Sequence, residues 1–200
     1  MKRGLLLLLL IVLVACNGYA GDKYYVFYLH GRIVELQGLE ANSPEHGPYK
    51  YKEILKALED KGYIVLSEMR GKDTEMEPYA RKIAAQIDCL KKAGVPADHI
   101  ALIGASKGAY IGMYVAGIAK DKKLKYVLMG TCLNDAKYPL YGKVLMINER
   151  SDSYGKGCQQ PDKTNITSYK EVMLNNGLGH GFLYRPLPEW VEPAETWIRK

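Results

Sequence analysis

Several kinds of site are missing from this sequence of 200 residues. Its four cysteines and four histidines form no C-x-x-C pair and no His-rich pair, so neither a metal site nor a cofactor is predicted. The net charge of +6 is scattered, and no basic run exceeds three residues, which argues against a nucleic-acid surface. No repeat, low-complexity tract or linker divides the chain. These absences favour a single globular domain.

The first 20 residues are typical of an export signal. A short basic stretch precedes an apolar run of eleven residues, 5–15, which is too short to span a bilayer but fits a secretory signal. Residues 13–16 (LVAC) resemble a bacterial lipobox, so cleavage before Cys16 and its lipidation are predicted. Cleavage after Ala20 and an uncleaved anchor are the alternatives. Each places the domain outside the cytoplasm, in the periplasm or envelope, and the lipid would bind it to a membrane.

A serine between two glycines is the most informative feature. Residues 104–108 (GASKG) follow the apolar run 100–103 and precede a stretch rich in small residues. At a strand-to-helix switch this pattern presents a hydroxyl on a sharp turn, with glycine where a Cβ would collide. Ser106 is therefore the predicted nucleophile, and the alternative is a glycine-rich turn with an incidental serine.

A serine nucleophile needs a base and a carboxylate that orients the base. His180, in a loop with flanking glycines, is the only histidine downstream of Ser106. The apolar run 143–147 leads towards Asp152, which we expect on the same sheet edge as the serine. Asp152 is the predicted acid. Two other carboxylates near it are alternatives, Glu149 and Asp162.

Apolar runs alternate with helical patterns over the rest of the chain. Strands are predicted at 24–29, 63–66, 100–104, 125–130, 143–148 and 168–174. Helices are predicted at 49–61, at 78–93 and from about Pro193 onward. This alternation favours one α/β domain, residues 21–200, with a mainly parallel sheet of about six strands and helices on both faces.

Together these features resemble the small, lidless α/β-hydrolases related to bacterial esterases and dienelactone-hydrolase-like proteins. The resemblance rests on the GASKG turn, residues 147–152 (INERSD), residues 177–181 (GLGHG) and residues 29–31 (LHG). It implies a catalytic triad of Ser106, His180 and Asp152. It also implies an oxyanion hole built from backbone N–H groups, for which the candidates are Lys107, Arg32 and Gly31.

The resemblance implies a serine hydrolase that cleaves a carboxylic ester or thioester. A peptidase or amidase with the same triad is one alternative, and an envelope lipoprotein that uses the fold only for binding is the other. Three cations, Arg32, Arg70 and Lys107, are expected to make the mouth of the pocket positive and to favour an anionic substrate. The oligomeric state stays open.

Two of the cysteines are predicted to pair. Cys132 and Cys158 each lie shortly after a predicted strand, and those strands would be neighbours in this fold. In an oxidising compartment such neighbours can form a disulfide.

Overall fold

The computed structural model describes residues 23–200, so the predicted signal peptide and Cys16 lie outside the described residues. The strands are β1 (Tyr25–Leu29), β2 (Asn42–Ser43), β3 (Gly47–Pro48), β4 (Ile64–Leu66), β5 (Ile100–Ala105), β6 (Lys125–Met129), β7 (Gly142–Glu149) and β8 (Ile166–Leu174). The helices are α1 (Arg32–Gln37), α2 (Tyr51–Glu59), α3 (Met76–Lys92), α4 (Lys107–Ala119) and α5 (Pro188–Arg199). None of these helices is long and apolar enough to cross a bilayer.

Six strands form one parallel sheet in the order β4–β1–β5–β6–β7–β8, while β2 and β3 form a separate antiparallel pair. Successive side chains of a strand point to opposite faces. On β5, Ala101 and Ile103 join the core that includes α2 and α5, whereas Leu102 joins the core that includes α3 and α4. Because both faces are covered, β1 and β5 consist of apolar and aromatic residues throughout. The predicted six-stranded parallel sheet with helices on both faces is confirmed.

The C-terminal helix begins earlier than its sequence suggests. It runs through Pro193 instead of beginning near it. A proline inside a helix removes one hydrogen bond and costs about 3 kcal/mol. The continuous helix buries both Trp190 and Trp197, and an aromatic side chain that buries about 150–250 Å² gains about 4–6 kcal/mol. Burial of the two indoles therefore outweighs the penalty of the proline.

The carboxyl ends of the central strands lie at one edge of the sheet. The register pairs Leu29 of β1 with Gly104 of β5 and Ala105 of β5 with Met129 of β6. The segments that follow β1, β5, β6, β7 and β8 therefore all start from this edge, where parallel sheets bind their ligands.

Candidate active site

The turn between β5 and α4 holds Ser106 in a strained backbone conformation. Its φ and ψ are 53° and −119°, a combination that non-glycine residues rarely adopt. The Ser106 N–H donates to the carbonyl of Met129 at 2.9 Å, which ties the turn to β6. A Cβ on Gly104 would lie 2.5 Å from the carbonyl oxygen of Gly108, and one on Gly108 would lie 1.9 Å from that of Leu29. The close approach of the backbone segments therefore requires both glycines.

His180 and Asp152 form the second part of the site. His180 Nδ1 lies 2.7 Å from Asp152 Oδ2, and Asp152 is buried. The other oxygen, Oδ1, accepts the N–H of Tyr154 at 3.0 Å, so the carboxylate is held from both sides. A carboxylate in this position accepts a hydrogen bond from Nδ1–H, which leaves Nε2 of the neutral imidazole unprotonated and free to act as a base.

Ser106 and His180 line the same cavity, which has a volume of about 160 Å³. Its lining residues are Gly31, Arg32, Ile33, Tyr49, Ser106, Tyr154, His180, Leu183 and Tyr184. Both residues lie within the described part of the chain, and there the Ser106 hydroxyl makes no direct hydrogen bond to His180. Catalytic hydrogen bonds are often long in the absence of substrate and shorten when it binds. The structure thus brings Ser106 and His180 to one cavity, and the buried Asp152 contacts His180 without lining that cavity.

Glu149, the alternative acid, has a different set of contacts. It accepts hydrogen bonds from the Ser151 N–H at 2.7 Å, from the Ser151 hydroxyl and from the Gly177 N–H at 3.1 Å. Burial opposes its ionisation, but hydrogen bonds from Ser151, Gly177 and Gly179 outweigh burial and lower the pKa of Glu149. Glu149 therefore anchors the loop that carries His180. Asp162, the other alternative, is exposed and bonds to Thr164.

Backbone N–H groups of two helix N-termini adjoin the serine. Lys107 is the first residue of α4 and Arg32 is the first residue of α1, so neither N–H has a carbonyl partner within its helix. A Cβ on Gly31 would lie only 3.7 Å from the Ser106 Cβ, which shows how close the two segments are. Gly31 and Arg32 also line the cavity. The two segments that carry the predicted oxyanion donors thus both adjoin Ser106.

His30 holds the segment that precedes α1. Its Nε2 accepts the Arg70 N–H at 3.0 Å, so Nδ1 carries the proton and donates to the Gly31 carbonyl at 2.9 Å. Burial and the neighbouring Arg70 lower the pKa of His30 to about 4, so the ring is neutral at pH 7. The Gly31 carbonyl belongs to the same peptide unit as the Arg32 N–H. His30 therefore fixes the direction of that donor.

The predicted cationic mouth is wrong for two of its three residues. Arg70 is buried and donates to Glu35 Oε1 at 2.7 Å. The Lys107 ammonium donates to Glu35 Oε2 at 2.5 Å and to the Thr74 carbonyl at 2.8 Å. Glu35 is itself buried on α1 and draws both cations inward. Of the three, only Arg32 is exposed at the cavity.

Several residues at the site were not predicted. The Tyr154 ring lies 4.6 Å from the His180 ring, and the His46 ring lies 6.5 Å from it and 5.2 Å from Tyr184. His46 belongs to the β2–β3 connection, and a Cβ on Gly181 would lie 3.1 Å from its Nδ1. A pair of two-residue strands is too short to show periodicity, so no sequence signal places His46 here.

The structure joins Cys132 and Cys158 in a disulfide with a Cα–Cα distance of 5.2 Å. Cys132 follows β6, and Cys158 follows the short 3₁₀ helix Ser153–Gly155 that carries Tyr154. Cys132 Sγ also lies 3.5 Å from the Tyr154 carbonyl oxygen. The bond therefore ties the Tyr154 wall of the cavity to the sheet. In the part of the chain that the structure describes, no group of three His, Cys, Asp or Glu side chains is arranged to hold a metal ion.

Comparison with known proteins identifies the fold. No family model matches the sequence, and no curated protein matches it. A putative α/β-superfamily hydrolase from Xanthomonas campestris pv. campestris matches with a TM-score of 0.54 at 12% identity, covering 88% of this chain and 96% of that one. The carboxylesterase of Bacillus cereus matches with a TM-score of 0.53 at 16% sequence identity, and the match covers 92% of this chain and 91% of that one. Est1E from Butyrivibrio proteoclasticus, solved with ferulic acid bound, matches with a TM-score of 0.55 at 16% sequence identity. This match covers 88% of this chain and 90% of that one. The chain has the α/β-hydrolase fold.

Proposed function

We propose that this protein is a serine hydrolase that cleaves a carboxylic ester or thioester through an acyl-enzyme. The observation that carries the proposal is that Ser106 and His180 line one cavity while His180 Nδ1 lies 2.7 Å from the buried Asp152. A nucleophile, a base and a group that orients the base are the parts that acyl transfer needs. The structural neighbours with esterase names support the same class of reaction.

In the proposed reaction His180 Nε2 takes the hydroxyl proton of Ser106 as Oγ attacks the carbonyl carbon. The carbonyl oxygen becomes an oxyanion and accepts hydrogen bonds from the backbone N–H groups of Lys107 and Arg32. Each donor typically stabilises the transition state by about 3–4 kcal/mol. The oxyanion then collapses, the bond to the leaving alcohol or thiol breaks, and His180 gives that group its proton. Water repeats the sequence on the acyl-enzyme and releases the acid and the free Ser106.

The cavity favours a small group at the reacting carbonyl. Its volume of about 160 Å³ is well below the roughly 300–1,000 Å³ of pockets that enclose drug-sized ligands. Ile33, Leu183 and Tyr184 supply an apolar and aromatic wall, and Arg32 is the exposed cation at the mouth. We therefore propose a short acyl chain, with the larger part of the substrate outside the cavity.

Labelling with a fluorophosphonate probe tests the nucleophile. The wild type should be labelled, and Ser106→Ala should lose labelling while keeping its circular dichroism spectrum. Labelling that persists in Ser106→Ala would refute the assignment. A wild type that is never labelled would favour the non-catalytic binding protein instead.

A substrate panel tests the bond that is cleaved and the size of the acyl group. p-Nitrophenyl acetate and butyrate should be hydrolysed faster than longer esters, and all of them faster than peptide amides. A preference for amides would identify the peptidase alternative. A rate that rises steadily with chain length would contradict the small acyl pocket.

We also propose that the protein is exported and anchored to a membrane by a lipid on Cys16. The support is the sequence of residues 1–16. In a bacterial host, metabolic labelling with an alkyne fatty acid should mark the wild type and not Cys16→Ala. A wild-type protein that is secreted without the fatty-acid label, after cleavage between Ala20 and Gly21, would refute lipidation.

A further inference from the structure

A buried carboxylate links the two segments that carry the candidate oxyanion donors. Glu35 lies in the first turn of α1, the helix that starts at Arg32. Its Oε2 accepts a hydrogen bond at 2.5 Å from the ammonium group of Lys107, which is the first residue of α4. Each helix contributes its first N–H to the proposed oxyanion hole. The Glu35 side chain, which does not line the cavity, thus bridges the two helices that carry the donors.

Arg70 extends this bridge to the segment before α1. Its Nε donates to Glu35 Oε1 at 2.7 Å, its Nη2 donates to the His30 carbonyl oxygen, and its backbone N–H donates to His30 Nε2 at 3.0 Å. Lys107 in turn donates to the Thr74 carbonyl at 2.8 Å. The cluster, defined as Glu35, Arg70 and Lys107, therefore connects α1, α4 and the loop between β4 and α3.

Burial makes these contacts strong and selective. The side chains of Glu35 and Arg70 are fully buried, and that of Lys107 is 18% exposed, so solvent screens the charges little. Two cations and one carboxylate give the cluster a net charge of +1. Removing the charge of Glu35 leaves the Arg70 and Lys107 cations without their shared carboxylate, and the neighbouring groups must move to accommodate them.

We propose that Glu35 is a positioning residue of the oxyanion hole, setting the distance between the Arg32 and Lys107 backbone N–H groups through its ion pairs with Arg70 and Lys107. This inference rests on the proposed function, because a donor has to be positioned only if an oxyanion forms. Glu35 contacts neither the cavity nor the reacting atoms. Its effect is therefore on the transition state and not on substrate binding.

Glu35→Gln tests the proposal. Glutamine keeps the size of the side chain but removes its negative charge and one of its two acceptor atoms, so it cannot hold Arg70 and Lys107 on separate oxygens as the carboxylate does. A displacement of about 1 Å can cost about 100-fold in rate, so we expect kcat for p-nitrophenyl acetate to fall about 10- to 100-fold. KM should stay within about threefold, since binding is unaffected. The affinity for a trifluoromethyl ketone, which forms an oxyanion on the serine, should fall by the same factor as kcat.

Glu77→Gln is the matched control. Glu77 accepts hydrogen bonds from Arg81, Lys137 and Tyr138 on the surface of the molecule, so it is also a carboxylate with two cations, and it contacts no part of the candidate site. Its kcat and its affinity for the ketone should match those of the wild type. Circular dichroism and thermal unfolding of both variants separate a loss of stability from a loss of rate.

The outcomes distinguish the proposals. A wild type that neither hydrolyses esters nor reacts with the fluorophosphonate overturns the proposed function and this inference with it. An active wild type beside a folded Glu35→Gln of unchanged or higher kcat overturns the inference alone. If Glu35→Gln does not fold, Lys107→Met removes the partly exposed partner of Glu35 and leaves the bond to Arg70. A fall in kcat and ketone affinity at constant KM in that variant supports the proposal, and wild-type values refute it.

Discussion

Loss of the disulfide should lower the stability of the fold by an amount that follows from the size of the loop it closes. Cys132 and Cys158 are 26 residues apart in sequence. Cross-linking a loop of that length reduces the entropy of the unfolded chain by an amount worth about 3.5 kcal/mol at 25 °C. For a domain of this size each kcal/mol shifts Tm by about 2–4 °C, so we expect a decrease of about 7–14 °C.

The assay is calorimetric unfolding of the double variant Cys132→Ser/Cys158→Ser, with each single variant beside it. Each single variant also lacks the bond, so all three should show the same decrease in Tm. A decrease below about 3 °C would refute the reasoning, because the bond would then not restrict the unfolded chain as much as the length of the loop requires. Fluorophosphonate labelling at 25 °C should persist in every variant, since Asp152 is held by its own contacts with Tyr154 and His180.

Three further predictions concern single residues. Asp152→Asn should lower kcat about 10⁴-fold, because the asparagine favours the wrong imidazole tautomer, while the exposed Asp162→Asn should not change steady-state rates. Gly108→Ala should give no folded, labelled protein, because its Cβ would lie 1.9 Å from a carbonyl oxygen, whereas Gly71→Ala, with no atom within 4 Å, should express and label normally. The pKa of His30 is lowered from 6.5 to about 4, so the unfolded chain binds the extra proton first and stability falls as the pH decreases from about 6.5 towards 4. Between pH 7 and pH 5 this is worth about 2 kcal/mol in urea unfolding, and His30→Leu should lose that part of the pH dependence.

The sheet was predictable because its signals are local. Each buried strand is an apolar run with turn residues on either side, and the alternation with helical patterns indicates parallel strands. Ser106, Asp152 and His180 each follow the carboxyl end of one of those strands, and this explains why they lie at the same edge of the sheet. The predicted start of the C-terminal helix was wrong, since the penalty of Pro193 is visible in the sequence and the joint burial of two tryptophans is not.

The lining of the site was less predictable because its contacts join residues far apart in sequence. Glu35 bonds to Arg70 over 35 positions and to Lys107 over 72. A sequence shows that two cations follow strand ends, and it does not show which carboxylate they meet. The predicted positive mouth failed for this reason. The cavity keeps one exposed cation, and the other two charges lie behind the oxyanion donors.

Three departures from ordinary stability rules lie at the carboxyl edge of the sheet. Ser106 has a positive φ, His30 is a buried imidazole with a lowered pKa, and Glu35 lies in a buried cluster of net positive charge. Each of these lowers the stability that a simpler residue would provide. Folded proteins commonly accept such losses where function requires them. That three of them surround the same turn supports, independently of any resemblance, the proposal that this turn carries the active site.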